Sequence, residues 1–211
     1  MGKFTEYNYD IEEKLRENLV KKEILGPKTC NKINISIACD ENYAKYAGVL
    51  IASILANANL YDELIFYILD GGISEKRKRE ILSLNFIKEC SINFVSINPA
   101  DFEDYKEVKT HAYLTLPAYY RLKLPSLLPK IDRLIYLDCD TIVLSSLNKI
   151  FNIDMKNYSI AGVLDVNKKR VKENPTYVNS GMLVMDLTNM RTNNLEQAFL
   201  DYTKNNFKTI N

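Results

Sequence analysis

Six short segments of the chain are rich in apolar residues, and polar stretches with helical spacing separate most of them. Short apolar runs bounded by turn residues predict buried strands, whereas apolar residues three or four positions apart predict amphipathic helices. The predicted strands are residues 33–38, 64–70, 91–97, 133–138, 159–165 and 177–187. The predicted helices are residues 43–58, 75–88, 110–128 and 194–206. This alternation favours an α/β fold with a mainly parallel central sheet and helices on both faces.

The first part of the chain has the pattern of a separate amphipathic helix over residues 10–25. Asp10 and Glu13 have capping-box spacing at its start, and a Gly-Pro pair ends it. Packing of its apolar stripe on the domain is favoured over packing on a partner, because most such stripes are buried within their own chain. We expect residues 1–32 to form a helical extension and residues 33–211 to form one domain.

Composition excludes several classes of protein. Apolar residues make up 46% of the 211 positions, which favours a folded domain over disorder. The net charge of +1 gives no argument for binding to nucleic acid or to an acidic membrane surface. The four cysteines lack metal-finger or redox spacing, so we expect a reducing, cytoplasmic setting. We expect neither a signal peptide nor a transmembrane helix, since no apolar run approaches about 18 residues.

Two aspartates, Asp138 and Asp140, directly follow the fourth predicted strand. In extended backbone, side chains two positions apart point the same way, so both carboxylates are expected on one face and Cys139 on the other. Carboxylate oxygens suit hard divalent ions such as Mg²⁺ and Mn²⁺. The pattern predicts a metal-diphosphate site at the carboxyl end of this strand. The alternative is a polar turn after a buried strand.

Two further predicted strands also end in an acid, Asp40 and Asp165. In parallel α/β sheets, ligands bind at the carboxyl ends of the strands, near the point where the strand order reverses. Three strand-terminal carboxylates therefore favour a binding site at this edge more than any single motif does. The alternative for each is a loop carboxylate that faces water or caps a helix, and Asp40 suits the capping role well.

Five ordered segments of the chain resemble glycosyltransferase family 8, and together they cover residues 33 to about 206. The segments are ISIACDENYAKYAGVLIASIL, FYILDGGIS, AYYRLKLPSLLP, LIYLDCDTIV and YVNSGMLVMDL. The family includes bacterial lipopolysaccharide galactosyl- and glucosyltransferases and glycogenin-like relatives. The resemblance implies a GT-A (Rossmann-like) fold and metal-dependent transfer of a hexosyl unit with retention of anomeric configuration. The implied donor is UDP-galactose or UDP-glucose, and the implied acceptor is a glycan or glycolipid of a cell-surface polysaccharide or glycoprotein.

The resemblance also assigns the donor and its metal to particular residues. It assigns the nucleoside of UDP to Ala38, Asp40, Asn42 and Tyr43. It assigns Mn²⁺, or Mg²⁺ in its place, to Asp138 and Asp140, with Cys139 between them in the cofactor-binding segment. Peripheral contact with the inner face of the cell membrane remains open, and the resemblance implies no oligomeric state.

Three further residues match catalytic positions of the family. Arg121 matches an arginine that reaches the donor sugar and the carboxylate cluster, and Asp165 and Asn179 match positions at the sugar and acceptor side. From the residues alone, Arg121 is more simply a surface arginine on a helix, since arginine is mostly exposed. Asn179 is equally compatible with a side chain that satisfies loop backbone.

The family pattern continues beyond Asn211 with a segment whose histidine is the third metal ligand and whose lysine meets the diphosphate. Neither is present, and the sole histidine, His111, lies in a different block, where a structural or exposed role is favoured. We therefore expect a chain that lacks the C-terminal part of the family. We also expect the parent protein to be active and the 211-residue fragment to be weak or inactive.

Two alternative functions stay open. One is a non-catalytic relative that binds UDP-sugar without turnover. The other is a phosphotransferase of the haloacid dehalogenase type, which also has Asp-x-Asp after an apolar strand. The second fits less well, because its pattern requires Thr or Val where this chain has Ile142.

Overall fold

The computed structural model describes residues 32–102, 117–167, 172–174 and 176–206. The predicted N-terminal helix and His111 lie outside these residues. All six predicted strands are present: β1 (Lys32–Cys39), β2 (Glu63–Asp70), β3 (Ser91–Ser96), β4 (Arg133–Leu137), β5 (Ile160–Leu164) and β6 (Val178–Asp186). The helices in the described residues are α1 (Ala44–Asn57), α2 (Glu75–Leu82), α3 (Pro117–Tyr120), α4 (Leu124–Leu127), α5 (Asn148–Phe151), α6 (Leu187–Thr192) and α7 (Leu195–Asn206).

The six strands form one mixed sheet in the order β3-β2-β1-β4-β6-β5. Strands β3, β2, β1 and β4 run parallel to one another, as the alternating pattern predicts. Strand β6 instead runs antiparallel to both β4 and β5. The expectation of a mainly parallel sheet is therefore confirmed. The reversed direction of β6 was not predicted, because mainly parallel sheets commonly include an antiparallel strand and the order of strands and helices does not say which one it is.

Helices cover both faces of the sheet, which confirms the predicted layers. On one face, α1 and α2 pack against the isoleucines of β1, including Ile35 and Ile37. On the other face, α4, α6 and α7 pack against a second cluster that includes Leu69, Tyr136 and Met185. Strand β1 is therefore covered on both sides, although its isoleucines alternate with the polar residues Asn34 and Ser36, and Ser36 is fully buried.

Two predicted helices are shorter than the sequence pattern indicates. The first, α2, follows the N-cap residue Ser74, whose hydroxyl accepts a hydrogen bond from Arg77 N–H, and it gives way to a 3₁₀ turn at Ser83–Phe86. The second is divided into α3, a 3₁₀ turn at Arg121–Lys123 and α4. Pro125 explains this break, since it has no N–H and its ring clashes with the carbonyl four residues before it. None of the helices in the described part of the chain is both long and apolar enough to cross a bilayer.

The strand order reverses between β1 and β4, and this point positions the candidate site. Pairing of Ile37 with Leu137 brings the carboxyl ends of β1 and β4 side by side. Asp40 and Asp138 follow those ends directly. Because β6 is antiparallel, its first residues lie at the same edge as the last residues of β4. This edge is where doubly wound sheets bind their ligands.

Candidate functional site

Hydrogen bonds join the ends of three strands at this edge. The Cys139 thiol lies 3.1 Å from the carbonyl oxygen of Ala38 and donates to it, which links the end of β4 to the end of β1. The backbone N–H of Asp138 donates to the carbonyl of Gly181 at 2.8 Å, which links β4 to β6. The segment that carries the two predicted metal ligands is therefore held from both sides.

Gly71 allows a fourth strand end, that of β2, and a helix to approach the same edge. Its N–H donates to the carbonyl of Cys39 at 2.9 Å, which joins β2 to β1. A Cβ atom at this position would lie 3.0 Å from that carbonyl oxygen and 3.2 Å from Cγ of Pro117 in α3. Glycine is therefore required for the close packing of α3 against the strand ends.

The Asp138 carboxylate lies in a cluster of buried polar groups. Its Oδ1 accepts a hydrogen bond from the hydroxyl of Tyr136 at 2.9 Å and another from Nη2 of Arg121 at 3.1 Å. The same guanidinium donates to the carbonyl of Ser180 and lies 4.4 Å from the centroid of the Tyr136 ring. Arg121 is only 8% exposed, so it is not the surface arginine that its residue type alone suggests.

The charges in this cluster determine which groups are hydrogen-bond donors. Burial raises the pKa of Tyr136; the positive charge of Arg121 opposes that rise, and the nearby Asp138 carboxylate adds to it. The Tyr136 hydroxyl therefore keeps its proton at neutral pH and donates it. A buried guanidinium needs a partner of opposite charge, and Asp138 supplies one.

The two residues that follow Asp138 have opposite environments. Cys139 is a buried free thiol whose pKa is raised by a hydrogen bond with Cys39 and by burial, so it is not a ready nucleophile or ligand at neutral pH. Asp140 is exposed in the turn that begins here. In the described part of the chain, no group of three or more His, Cys, Asp or Glu side chains is arranged to hold a metal.

The residues expected near the nucleoside lie between β1 and α1. Oδ1 of Asp40 accepts a hydrogen bond from the N–H of Tyr43 at 3.1 Å, so Asp40 closes the turn before α1, which is the alternative role for this residue. The side chains of Asn42 and Tyr43 are exposed beside that turn. Ala38 is buried and contributes its carbonyl to the bond with Cys139. The structure thus groups these four residues at one end of the site.

The residues expected on the sugar and acceptor side lie on β5 and β6. Asn179 is exposed, and its Oδ1 accepts a hydrogen bond from the N–H of Gly181 at 2.8 Å. Its position next to Gly181 brings it close to Asp138. Asp165 follows β5, where its Oδ1 accepts from the N–H of Asn167 at 2.7 Å. Among these residues the structure brings Arg121, Asp138 and Asn179 together most closely.

Comparison with known proteins identifies the family. The sequence profile described as "Glycosyl transferase family 8" matches residues 34–210. The chain belongs to this family. The family resemblance stated from the sequence segments is thereby confirmed.

Family 8 relatives agree with this chain in sequence and in fold. "General stress protein A" of Bacillus subtilis is 30% identical over 178 residues, which are 81% of this chain and 61% of that protein. "Lipopolysaccharide 1,2-glucosyltransferase" of Escherichia coli is 29% identical over 178 residues, which are 80% of this chain and 51% of that protein. The crystal structure of the galactosyltransferase LgtC in complex with donor and acceptor sugar analogues has a TM-score of 0.74 at 25% identity, and the match covers 85% of this chain and 66% of that one.

These matches confirm the GT-A fold and limit how much of a family 8 protein the chain represents. The chain spans between 51% and 61% of the length of these two curated relatives. Within that span, the mixed sheet and the helices on both faces are those of the GT-A glycosyltransferases.

Asp70 is a fourth strand-terminal acid at this edge of the sheet, and the sequence pattern did not indicate a role for it. Its Oδ1 accepts hydrogen bonds from the N–H groups of Gly72 and Ile73 at 2.9 and 2.7 Å, and its Oδ2 lies 2.8 Å from the ammonium of Lys78. Burial by itself raises the pKa of Asp70, but these hydrogen bonds and the charge of Lys78 lower it overall. Asp70 therefore stabilises the turn after β2.

Tyr136 and Gly181 also contact Asp138 without having been predicted. Tyr136 lies two residues before Asp138, and the period of a strand places both on one face. That spacing was a usable signal for Tyr136. No local pattern marks Gly181, because its importance comes from its closeness to Asp138, 43 residues earlier in the chain (181 − 138 = 43).

The segment that follows the second aspartate is held against α1. The hydroxyl of Ser53 accepts a hydrogen bond from the N–H of Val143 at 3.0 Å, and Nδ2 of Asn57 donates to the carbonyl of Val143 at 2.9 Å. Asp62 is buried just beyond α1 and accepts from Nδ2 of Asn148 at 3.1 Å. The backbone beyond the site is therefore fixed by side chains distant in sequence.

Proposed function

We propose that the protein is a retaining hexosyltransferase that moves a glucosyl or galactosyl unit from a UDP-sugar to a glycan acceptor, with the help of a divalent metal ion. One observation carries the proposal: a buried arginine is paired with Asp138 at the point where the strand order reverses, in a chain of glycosyltransferase family 8. A buried, permanently charged guanidinium beside a carboxylate suits a site that holds a diphosphate and a sugar.

The nucleoside of the donor is proposed to bind at the turn before α1. Asp40 has a carboxylate oxygen available for a ribose hydroxyl or the uracil N–H, which is a charge-assisted hydrogen bond. Tyr43 offers an exposed ring beside that turn, and Asn42 offers an amide. Ala38 is small, and it lets the neighbouring strand end approach.

The proposed metal ligands are Asp138 and Asp140, which have the hard oxygen donors that Mn²⁺ and Mg²⁺ prefer. These two residues fit a metal ion only in part, because no third suitable side chain in the described part of the chain completes a cluster. Water and the diphosphate are the expected remaining ligands. Cys139 takes part through its backbone, because its thiol is turned towards β1. When bound, the metal supplies Lewis-acid stabilisation of the charge on the leaving UDP.

The chain's own residues would orient the sugar of the donor. Arg121 holds Asp138 in place and gives the site a fixed positive charge. Asp165 and Asn179 are proposed to contact the sugar and the acceptor from β5 and β6. Retention of configuration is proposed from the family resemblance, with attack from the same face as the leaving group as the favoured account.

The names of relatives support the substrate class. One relative is a lipopolysaccharide glucosyltransferase, and one similar structure is a galactosyltransferase with donor and acceptor sugar analogues. A hexosyl donor and a cell-surface glycan or glycolipid acceptor are therefore proposed for this protein. Action at the cytoplasmic side, with or without peripheral contact with the membrane, follows from the same proposal.

The test measures UDP release from UDP-glucose and UDP-galactose with a panel of glycan acceptors, with Mn²⁺ and with excess EDTA. We expect metal-dependent release with one donor and loss of at least about 100-fold in Asp138→Asn, because a charged ligand is replaced by a neutral one. Asp154→Asn is the matched control, since Asp154 is an exposed acid in the turn after α5. The proposal is contradicted if UDP release is unaffected both by EDTA and by Asp138→Asn.

Binding of UDP-sugar without turnover is the second candidate function. The observation in its favour is that no third side chain joins the two proposed metal ligands in the described residues. Calorimetry with UDP, together with the turnover assay, distinguishes the two candidates. The phosphotransferase alternative is less compatible with the family 8 match, and loss of phosphate-ester hydrolysis in Asp138→Asn is the result that favours it.

A further inference from the structure

The two oxygens of the Asp138 carboxylate lie in different surroundings. Oδ1 has two donors, the Tyr136 hydroxyl at 2.9 Å and the Arg121 guanidinium at 3.1 Å. Oδ2 faces the backbone of Gly181, where a Cβ atom would lie only 2.8 Å away. Within the described residues, no hydrogen-bond donor reaches Oδ2.

We propose that Tyr136 is a positioning residue that holds Oδ1 of Asp138, so that Oδ2 is the single oxygen this carboxylate offers to a metal ion. Gly181 completes the arrangement, because it has no side chain to fill the space next to Oδ2. The inference rests on the proposed function, because it concerns the metal site of that function. It adds that Asp138 binds the metal ion through one oxygen. It also adds that Tyr136 and Gly181, which are not metal ligands themselves, impose this.

The position of Tyr136 supports the inference. Tyr136 and Asp138 lie two residues apart at the end of β4, so their side chains leave the same face. The Tyr136 ring is buried in the cluster beneath α4 and α6, which leaves its hydroxyl little freedom to move. A buried hydroxyl requires a hydrogen-bond partner, and Asp138 is the partner the structure provides.

Arg121 strengthens the restraint on the same oxygen. Its guanidinium lies over the Tyr136 ring and also donates to the carbonyl of Ser180 on β6. Two donors from different elements therefore converge on Oδ1, and rotation of the carboxylate breaks both hydrogen bonds. Hydrogen bonds to a ligating carboxylate are a known determinant of metal affinity, and their loss costs about 10- to 100-fold.

The opposite side of the carboxylate is shaped by β6. The Asp138 N–H is bonded to the Gly181 carbonyl at 2.8 Å, which fixes the distance between the two backbones. The amide oxygen of Asn179 lies 3.0 Å from the position that a Cβ atom would take at residue 181. A side chain at this position would therefore contact both Asp138 and Asn179 too closely. A methyl group at position 181 therefore displaces Oδ2 or its ligand.

The experiment titrates the protein with Mn²⁺ in the presence of UDP and measures the concentration of free Mn²⁺ by electron paramagnetic resonance. Tyr136→Phe removes the hydroxyl and keeps the ring beneath Arg121. We expect its Mn²⁺ dissociation constant to rise about tenfold or more. We expect its Mn²⁺ requirement for turnover to rise equally, with little change of kcat at saturating Mn²⁺. Tyr67→Phe, a partly buried tyrosine on β2 in the same cluster, is the matched control and is expected to bind Mn²⁺ normally.

The possible outcomes separate this inference from the proposed function. If the wild-type protein binds no Mn²⁺ with UDP, the metal-dependent function fails, and the inference fails with it. If the wild type binds Mn²⁺ and folded Tyr136→Phe binds it equally well, the inference alone is overturned. Should Tyr136→Phe fail to fold, Gly181→Ala decides: weakened Mn²⁺ binding supports single-oxygen presentation, and unchanged binding overturns it.

Discussion

Arg121 is the residue that balances the charge of the site. Its guanidinium is buried, and it joins three groups: the carboxylate of Asp138, the carbonyl of Ser180 and the ring of Tyr136. A lysine has one compact charge and no planar fork, so it cannot reproduce this set of contacts. The arginine therefore contributes both to the stability of the strand ends and to the proposed chemistry.

Replacing Arg121 with Met tests this double role. The change leaves Asp138 without its cationic partner, so we expect the free energy of unfolding to fall by about 2 to 3 kcal/mol, since water still reaches the carboxylate. Urea denaturation measures the loss. Arg79→Met, at an exposed position of α2, is the control and is expected to change stability by no more than about 0.5 kcal/mol. Equal stability of the two variants contradicts the role of Arg121.

A second residue-scale prediction concerns Gly71. The Gly71→Ala variant introduces a methyl group 3.0 Å from the carbonyl oxygen of Cys39 and 3.2 Å from Pro117. The backbone cannot yield easily at a strand end, so we expect a loss of about 1 to 3 kcal/mol in the free energy of unfolding. Gly48→Ala is the control, because a Cβ there meets no atom within 4 Å. Thermal denaturation of the two variants, measured side by side, gives the comparison.

At the scale of elements, α1 fixes the segment that follows the two aspartates. Ser53 and Asn57 bond both backbone groups of Val143, and Asp62 bonds the side chain of Asn148. These bonds cross more than eighty positions of sequence. The loop that follows β4 is thus held in place by α1 and by Asp62 just beyond it.

Asp62→Ala tests the importance of that contact. Asp62 is buried, and its removal leaves the backbone N–H of Asn59 and the side chain of Asn148 without their acceptor. We expect the free energy of unfolding to fall by about 2 to 3 kcal/mol, and UDP binding to weaken in calorimetry. Asp201→Ala, at an exposed site on α7, serves as the control. If Asp62→Ala has unchanged stability and unchanged UDP binding, the segment that follows the two aspartates is held by its own backbone.

The turn after β2 gives a pH-dependent prediction. The pKa of Asp70 is lowered in the folded protein, so its contribution to stability is complete above its unfolded pKa of about 3.9 and is lost as the pH falls through the folded value. Asp70→Asn is expected to cost about 1 to 2 kcal/mol at pH 7 and progressively less below about pH 4. Urea titrations from pH 7 to pH 3 measure this, with Glu63→Gln as the exposed control. A cost that stays constant over this range contradicts the assignment.

At the scale of the whole molecule, one corner of the sheet carries uncovered apolar residues. Val163, Leu164 and Val166 are 63%, 52% and 92% exposed at the end of β5. In the described part of the chain, β5 has a neighbouring strand on one side only. An edge strand with exposed apolar side chains is a site at which chains associate.

We expect the 211-residue chain to self-associate through this corner in a concentration-dependent manner. Leu164→Lys introduces a charge on the edge strand and should increase the monomer fraction several-fold, as charged residues do on natural edge strands. Light scattering coupled to size-exclusion chromatography measures the effect. Tyr158→Lys, which changes a 73% exposed side chain outside β5, controls for the added charge. An equal effect of both variants means that the corner has no special role.

The sequence by itself determined the six strands and the aspartates that follow β1, β4 and β5. These features depend on local properties, namely the apolar character of short runs and the two-residue period of extended backbone. Only the tertiary structure decided the burial of Arg121, the antiparallel direction of β6 and the contact of Tyr136 and Gly181 with Asp138. Arg121 bonds a carbonyl 59 positions away, and Cys139 bonds one 101 positions away. The partners in such contacts are selected by the packing of the whole sheet, so no local pattern of residues encodes them.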